Sequence, residues 1–367
     1  MKVLHIAPYY PPHRVGGVGV FVARLHRALS AAGVASQVWT RAPAGAALER
    51  GVERIATSPT GWLASLVSRV SAARAFDVVH VHSGEALPFL AALRGVPHRP
   101  RIVATWHVSA WDLARTAGSD AERFRAMAHA AGDRLALPLM DAVAWVSRAC
   151  AVEVLGAARG AAATVIHHGL PAPDRPSEGS RLPRASLLYV GIAGNRKRVG
   201  SLPSVLDAVR RVRPDTRLRI AGFSADAAPG LHAAFTDRDL AECVDWDGVL
   251  PPDRLAAAYR AADVLVAPAA YEGVPLAVLE AMQHAVPVVA TNIAGHSLAI
   301  DDGVTGSLVP VDDAAAMAAR CIELLDDAPR RRAMGEAAAK AVGERFDLDR
   351  HVRAYCSLYG HVRREAA

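Results

Sequence analysis

The sequence predicts an α/β protein built from two doubly wound, Rossmann-like domains, and three observations support this prediction. Short apolar segments alternate with longer amphipathic ones along the 367 residues, which is typical of parallel strands covered by helices on both faces. A chain of this length is too long for one typical core. The alternation also stops at residues 171–186, a segment rich in Pro, Ser and Gly, and then restarts.

The N-terminal half is expected to form six buried strands and one well-defined helix. Its short runs of mostly apolar residues have the length and composition of strands buried on both faces. An amphipathic segment predicts a helix from about Gly19 to Ala32. The predicted strands are Val3–Ala7, Val34–Thr40, Val78–His82, Arg101–Thr105, Ala142–Val146 and Ala163–Ile166.

The C-terminal half repeats the pattern. Its predicted strands are Leu187–Val190, Leu218–Ala221, Val244–Trp246, Val264–Ala267 and Val286–Ala290, and its predicted helices lie near Leu202–Arg213, Asp253–Ala261 and Pro275–Gln283. We therefore expect a first domain at 1–172, a linker at 173–186, a second domain at 187–345, and a C-terminal helix at 346–367 that packs back on the first domain. Ligands of such folds bind beyond the carboxyl ends of the strands, so the cleft between the domains is the expected site.

Composition excludes several classes of protein. A hydrophobic content of 52% describes a folded chain, and no run of 18 apolar residues predicts a membrane span. The N-terminal apolar segment is too short for a signal peptide. The four cysteines are scattered without a CxxC pair, which argues against zinc and disulfides and fits a cytoplasmic protein.

Charge is unevenly distributed between the halves. Residues 1–180 hold 19 Lys+Arg against 12 Asp+Glu, which gives +7, whereas residues 181–367 hold 23 against 24, which gives −1. The basic half could meet an anionic acceptor, a membrane surface or nucleic acid. A solvated arginine-rich surface is favoured, since no basic run is interleaved with aromatics as in nucleic-acid binders. Peripheral membrane contact stays open.

The most informative stretch is Tyr271–Met282, which places Glu272 and Glu280 eight residues apart. Gly273 and Pro275 disfavour one continuous helix, so Glu272 is expected in a loop and Glu280 on a helix that begins near Pro275. A helix start can hold a phosphate, and the flanking carboxylates could bind hydroxyls. This predicts a phosphorylated, hydroxyl-rich ligand such as a sugar nucleotide; the alternative is an ordinary helix with two glutamates.

A cationic loop follows the first strand of the second half. Gly191 and Gly194 precede Arg196, Lys197 and Arg198, and Lys197 is one of only three lysines in the chain. Arginine and lysine there would neutralise a diphosphate. The alternative is a solvated basic loop, and the scarcity of lysine favours function.

Loops of the first half carry weaker signals. Gly17-x-Gly19 does not predict an NAD site, because about ten residues separate strand from helix and Thr40-Arg41 offers no acidic residue for a ribose. His107, near Ser109 and Asp112, could bind a substrate hydroxyl or be structural. His80 and His82 are expected to be structural, and His167-His168 lacks partners at metal-ligand spacing. No metal site is predicted.

An ordered series of motifs runs through both halves. The first half contains Ile6-Ala7-Pro8 through Gly16-Gly17, Asp77–His82, Thr105–His107, Val146-Ser147 and Val165–Gly169. The second contains Glu272 and Glu280 as E-x7-E, Glu280-Ala281-Met282, Pro287–Thr291, Gly295 and Asp302-Gly303-x-x-Gly306. This series resembles the retaining glycosyltransferases of the GT-B fold, family 4 in the carbohydrate-enzyme classification, over almost the whole chain.

The resemblance implies an acceptor-binding first domain, a donor-binding second domain, and a role for each motif. Catalytic roles fall to His107 beside the transferred sugar, Glu272 on the sugar hydroxyls, and Lys197 and Arg196 on the diphosphate. Glu280 would bind the nucleotide ribose. The backbone of the helix start would contact sugar and phosphate, namely that of Gly273, Val274, Pro275 and Leu276. Gly16 and Gly17 would line the reaction centre, and Gly222 and Val249 would contact the base.

The implied reaction moves a sugar from a UDP- or GDP-sugar to an acceptor hydroxyl with retention, without a metal or other cofactor. Small-molecule, natural-product and lipid-linked acceptors all fit. The chain departs from the family at Ile192, where arginine is common, at His168, where asparagine is common, and at Val274-Pro275, which replaces Phe-Gly or Phe-Pro. The alternatives are a catalytically silent nucleotide-sugar binding subunit and a GT-B sugar-nucleotide epimerase or hydrolase.

Overall fold

The structure is a computed structural model that describes residues 1–11, 16–43, 45, 48–82, 86–108, 110–173 and 185–364. The chain divides into two compact units. The first unit comprises Met1–Arg115, Ser119–Gly169 and Leu348–Ala367, and the second comprises Thr116–Gly118 and Leu170–Asp347. Most of the predicted linker, residues 174–184, lies outside the described residues.

The first unit contains a six-stranded parallel sheet in the order β3-β2-β1-β4-β5-β6. Parallel strands need helical crossovers, which cover both faces of the sheet. The strands are β1 (Lys2–Ala7), β2 (Ala35–Arg41), β3 (Val52–Ala56), β4 (Val78–Val81), β5 (Arg101–Trp106) and β6 (Ala142–Trp145).

Helices enclose this sheet, and two of them form the face that concerns the sites below. Phe21 on the first helix and Tyr355 and Tyr359 on the last pack into one buried cluster with sheet residues such as Val78 and Val103. The helices of the first unit are α1 (Gly17–Ala31), α2 (Pro59–Ser68), α3 (Val70–Ala73), α4 (Leu87–Arg94), α5 (Ala110–Arg115), α6 (Asp120–Ala136), α7 (Arg148–Leu155), α8 (Ala157–Ala161) and α16 (Leu348–Arg364).

The second unit contains another six-stranded parallel sheet, in the order β12-β11-β10-β7-β8-β9. Its strands are β7 (Ala185–Val190), β8 (Leu218–Ala221), β9 (Val244–Gly248), β10 (Ala262–Ala267), β11 (Val288–Thr291) and β12 (Ser307–Val309). Its helices are α9 (Leu202–Val212), α10 (Pro229–Thr236), α11 (Pro252–Ala261), α12 (Leu276–Gln283), α13 (Ala294–Ala299), α14 (Ala314–Asp326) and α15 (Ala328–Arg345).

Both sheets have the same strand order. In each, the first strand lies between the second and the fourth, so chain connections leave in opposite directions at β1/β4 in one sheet and at β7/β10 in the other. Such a switch point opens a crevice at the carboxyl ends of the two strands, where ligands of doubly wound folds bind. The predicted fold class is therefore confirmed. The strand order also indicates where ligand sites are expected, namely at the carboxyl ends of β1 and β4 and at those of β7 and β10.

The structure corrects the sequence prediction at three elements. The strand predicted at Ala163–Ile166 is wrong, because this segment contributes only one isolated bridge, between Trp145 and Val165. Two edge strands, β3 and β12, were not predicted.

In the described part of the chain, no helix is both long and apolar enough to cross a lipid bilayer.

Candidate functional site

The strongest site lies at the switch point of the second sheet. The loop after β7 carries Arg196 and Lys197, and the loop after the neighbouring strand β10 carries Glu272. Parallel neighbours end at the same edge of a sheet, so these two loops meet. The structure thus brings together three of the four residues predicted to be catalytic.

Glu272 binds both cations. One terminal guanidinium nitrogen of Arg196 lies 3.0 Å from Glu272 Oε2 and donates to the Tyr271 carbonyl at 3.0 Å. Lys197 Nζ contacts the other carboxylate oxygen, Oε1. The side chains of Arg196, Lys197 and Glu272 are 23%, 18% and 10% exposed, so the group is largely desolvated yet reachable from solvent.

The electrostatics of this group favour the ionised carboxylate. Burial of Glu272 opposes ionisation, but the positive charges of Lys197 and Arg196 more than offset it and hold the pKa of Glu272 below its usual value. Two cations against one carboxylate leave a net charge of +1. A pocket with that charge suits an anionic ligand.

Helix α12 begins beside this group. Pro275 precedes the helix, no side chain caps it, and its first i→i−4 bond runs from the Leu279 amide to the Pro275 carbonyl at 3.0 Å. The Leu276 amide donates to the Val274 carbonyl instead, at 3.1 Å. A helix start leaves backbone N–H groups without intrahelical acceptors and carries partial positive charge. Lys197, Glu272, Pro275, Ala277, Val278 and His296 line one pocket here, together with ends of β7 and β10.

Two residues of α13 support the Glu272 loop, and sequence reasoning missed the second of them. A Cβ on Gly295 would lie 2.2 Å from the Glu272 carbonyl oxygen, so only glycine lets the helix approach this closely. His296 is buried, and its Nδ1 donates to the Thr291 carbonyl at 2.7 Å, which leaves Nε2 unprotonated in the neutral ring. Burial lowers the pKa of His296, although Glu272 acts in the opposite direction.

Glu280 lies on α12, as predicted, and is held by a tyrosine that the sequence did not point to. The hydroxyl of Tyr259 on α11 donates to Glu280 Oε2 at 3.0 Å. Tyr259 is itself buried and stacks on His284, with ring centroids 5.6 Å apart. The hydroxyl of this rigid aromatic side chain therefore fixes the orientation of the Glu280 carboxylate.

Glycines shape the carboxyl ends of β7 and β8. Gly222 has a φ of +121°, and a Cβ there would lie 2.0 Å from the Gly191 carbonyl oxygen. Its amide donates to the Gly248 carbonyl at 2.7 Å, which brings the end of β9 alongside. Val249 is 64% exposed and Ile192 is 51% exposed, so both predicted loop positions present apolar side chains to solvent.

In the first unit, Gly16 and Gly17 lie at the start of α1, with Gly16 as the residue before the helix. No side chain caps this helix. A Cβ on Gly16 would meet nothing within 4 Å, so its backbone is open on that side. The preceding residues 12–15 lie outside the described residues, as do Ser109 and the side chain of Asp112.

His107 is 6% exposed and engages both ring nitrogens. Nδ1 lies 3.3 Å from His168 Nε2, and Nε2 lies 3.5 Å from His82 Nδ1. The edge of Phe21 packs against the ring, with centroids 4.6 Å apart. Burial lowers the pKa of His107 to about 3, so the ring is neutral at physiological pH.

Sequence reasoning missed that three histidines converge on one face of the first sheet. His5 pairs with His80 across β1 and β4, and His82 lies two residues further along, so period-2 alternation puts all three on the same face. One nitrogen from each lies within 4.8 Å of the others, close enough to be considered for a metal. The sequence shows His80 and His82 two residues apart. That His5 lies beside them depends on the register between β1 and β4, which the sequence alone does not reveal.

Two protein families match the sequence, one in each half of the chain. Residues 15–172 match the family described as Glycosyltransferase Family 4, and residues 184–327 match the one described as Glycosyl transferases group 1. A D-inositol 3-phosphate glycosyltransferase of Corynebacterium kroppenstedtii is 34% identical over 201 residues, 52% of this chain and 44% of that protein. Its counterpart in Pseudarthrobacter chlorophenolicus is 30% identical over 92% of this chain and 89% of its own length. Glycogen synthase of Mycobacterium tuberculosis is 28% identical over 98% and 94%.

Solved structures share the fold. Sucrose-phosphate synthase of Thermosynechococcus elongatus superposes with a TM-score of 0.85 at 22% identity, and each chain is covered to 98%. HepE of Anabaena, solved in complex with UDP and glucose, gives a TM-score of 0.81 at 18% identity, covering 98% of this chain and 100% of that one. Both are GT-B proteins, the architecture that the two parallel sheets display.

Proposed function

Because the chain belongs to glycosyltransferase family 4, we propose that it moves a sugar from a nucleoside diphosphate to an acceptor hydroxyl with retention and without a metal ion. One observation carries the proposal beyond the family. At a single sheet switch point, two cations and a helix start meet a carboxylate, which is the set of groups that a sugar diphosphate requires.

The proposed role of the cations concerns the leaving group. Negative charge develops on the diphosphate as the bond to the sugar breaks, and preorganised positive groups stabilise that charge most strongly in a desolvated site. Lys197, Arg196 and the start of α12 are such groups. In the proposal these groups neutralise the diphosphate in place of a metal ion, and this is the reason for proposing metal independence.

The two glutamates are assigned to hydroxyl groups. Glu272, ionised by its cationic neighbours, would accept hydrogen bonds from the sugar, and Glu280 would accept them from the ribose. Tyr259 donates to one oxygen of Glu280 and thereby orients the carboxylate. In this proposal Glu272 positions the sugar rather than attacking it. In the proposed reaction, the acceptor hydroxyl attacks on the face that the diphosphate leaves, and its proton passes to the leaving phosphate oxygen.

A UDP-sugar is the first donor to test and a GDP-sugar the second. The choice rests on HepE, whose structures contain UDP with glucose and UDP-glucose. For the acceptor we propose a hydroxyl compound bound by loops of the first unit, near Gly16 and Gly17. The relatives' names refer to an inositol phosphate and to glycogen, so polyol and sugar hydroxyls come first.

The experiment combines donor binding with turnover. UDP-, GDP- and dTDP-sugars are screened by thermal shift, and the stabilising donor is then assayed with polyol and sugar acceptors in EDTA. Product anomeric configuration is read by NMR. Lys197→Ala should weaken UDP binding at least tenfold, because it removes a charge-assisted contact worth about 1.5–3 kcal/mol. Lys340→Ala, an exposed lysine on α15, is the matched control and should change nothing.

A second candidate is a nucleotide-sugar binding subunit without activity. It is favoured by Ile192, an exposed apolar residue where the family commonly carries arginine. Donor binding without turnover across the acceptor panel would support it over the transferase. Rapid stoichiometric hydrolysis of the donor without acceptor would instead contradict both.

A further inference from the structure

Four imidazoles form a continuous line through the core of the first unit. His5 Nδ1 lies 3.1 Å from His82 Nε2, His82 Nδ1 lies 3.5 Å from His107 Nε2, and His107 Nδ1 lies 3.3 Å from His168 Nε2. All four side chains are at most 6% exposed. We call this line the histidine chain.

Every link of the histidine chain runs in the same direction from ring to ring. Each joins the Nδ1 of one ring to the Nε2 of the next. Burial lowers the pKa of all four rings far enough to keep them neutral, and a neutral imidazole has one N–H donor and one bare acceptor nitrogen. The links can therefore all form only if every ring carries its proton on Nδ1, or every ring carries it on Nε2.

A mixed chain would contain a defect. Somewhere two N–H groups or two lone pairs would face each other in a buried site, and unpaired buried polar groups are expensive. In either uniform state the unpaired atoms are moved to the ends. These ends are His5 Nε2 and His168 Nδ1, and both are buried without a hydrogen-bond partner among the residues that the structure describes.

The same histidines do not make a good metal site. The third convergent ring, His80, has both nitrogens engaged at 2.7 Å, one by the Tyr359 hydroxyl and one by the Thr105 hydroxyl. None of these rings has an Asp or Glu as a hydrogen-bond partner among the described residues, so no carboxylate there balances a divalent cation. A dication in this core would be uncompensated, which is far more costly than a hydrogen-bonded chain of neutral rings.

We propose that the histidine chain acts as one unit with a single shared tautomer, and that through it His5, His82 and His168 position His107. Both ring nitrogens of His107 belong to the chain, so its proton cannot move without a matching shift at its neighbours. His107 is thereby held in one orientation and one tautomer. That this orientation serves sugar transfer rests on the proposed function; the shared tautomer does not.

The direct test is a two-bond 1H–15N correlation spectrum of the wild-type protein at pH 7, which distinguishes Nδ1–H, Nε2–H and doubly protonated rings. Single histidine substitutions assign the signals. The proposal expects one tautomer for all four rings. Different tautomers at His82 and His107, which share the longest link, or a charged ring anywhere in the chain, would overturn it.

A pair of substitutions at the end remote from His107 tests the positioning role. His5→Asn places an amide near the position of Nδ1 and keeps a partner for His82, whereas His5→Leu removes it. We expect His5→Leu to give mixed tautomers at His107 and to lower kcat about tenfold with donor KM unchanged, and His5→Asn to recover both.

The control is His26→Leu, which removes another buried histidine, hydrogen-bonded to Ser36 and to the Arg50 carbonyl and outside the chain. It should leave the tautomer of His107 unchanged. Mixed tautomers with unaltered kcat in His5→Leu would contradict the positioning role. If all four rings share one tautomer but the protein transfers no sugar, the proposed function is contradicted and the shared tautomer is not. Should the Leu variant not fold, the wild-type spectrum still decides the shared tautomer.

Discussion

At the scale of single residues, Glu272 is the group on which the site depends. Its two oxygens hold Arg196 and Lys197, the same cations that the proposed function assigns to the donor diphosphate. Under that proposal, a diphosphate entering the pocket would compete with Glu272 for these partners, and its arrival would free the carboxylate for sugar hydroxyls. In this exchange the cations would pair with the diphosphate, and the carboxylate would accept hydrogen bonds from the sugar.

Replacing Glu272 by glutamine tests its ion pairs with Arg196 and Lys197 through their contribution to stability. The folded pKa of Glu272 lies below the usual value, so its stabilising effect is present above the normal glutamate range and is lost as pH falls through the lowered pKa. We expect Glu272→Gln to reduce the unfolding free energy at pH 7 by about 2 kcal/mol, and the difference from wild type to shrink on acidification below pH 4.5. Urea unfolding across that range measures it, and a difference independent of pH would contradict the ion pairs.

Tyr259 offers a milder test at the other glutamate. Tyr259→Phe removes the hydroxyl that orients Glu280 while keeping the ring that stacks on His284. A hydrogen bond to a charged group contributes about 1.5–3 kcal/mol, part of which Glu280 recovers from solvent, so UDP binding should weaken roughly three- to tenfold. Calorimetry measures the affinity, and wild-type affinity in this variant would show that Glu280 needs no such support.

At the scale of elements, the parts predicted from sequence are the ones whose signal is local. Leu218–Ala221 was predicted with its exact ends because three of its four residues are apolar, as expected for a covered strand of a parallel sheet, although Arg219 interrupts the run. The edge strand β3 includes exposed Glu53 and intermediate Arg54, and β12 has three residues, so neither has that signature. The pairing of His5 with His80 depends on register between strands 75 residues apart, which no local pattern encodes.

The contact between α13 and the Glu272 loop gives a prediction at this scale. Gly295→Ala adds a methyl group that would lie 2.2 Å from the Glu272 carbonyl oxygen, so the loop or the helix must shift. Displacement of a positioned group by 1 Å can lower turnover about a hundredfold, and we expect a loss of at least tenfold. Gly343→Ala on α15, where a Cβ meets nothing within 4 Å, is the matched control and should retain full activity.

At the scale of the whole molecule, the two units share a topology but differ in their polar interiors. The first buries histidines on one face of its sheet, among them His5 and His107, whose pKa burial lowers to about 3, and His351, whose pKa it lowers to about 4. The unfolded chain takes up protons on these rings below pH 6.5, whereas the folded unit does not. Acid should therefore unfold the first unit before the second.

The expected loss of unfolding free energy on acidification is large. Between pH 6.5 and pH 4.5 each of these three histidines reduces the free energy of unfolding by about 2 kcal/mol, against a typical total of about 5–15 kcal/mol. Five of the six tryptophans lie in the first unit, so fluorescence of a Trp246→Phe variant reports on it alone. We expect its acid transition to be centred above pH 4. A fluorescence signal unchanged down to that pH would contradict this expectation.

Helix α16 completes the core of the first unit, although the whole second unit precedes it in the chain. A ribosome at about 5–20 residues per second needs roughly 10–35 s to pass from Leu170 to Leu348. During that interval His80 and Thr105 lack the tyrosine hydroxyls that later satisfy them, and the sheet face beneath Tyr355 and Tyr359 stays uncovered. The unit that is synthesised first is thus finished last, and its nascent form exposes a surface that a ribosome-associated chaperone would recognise.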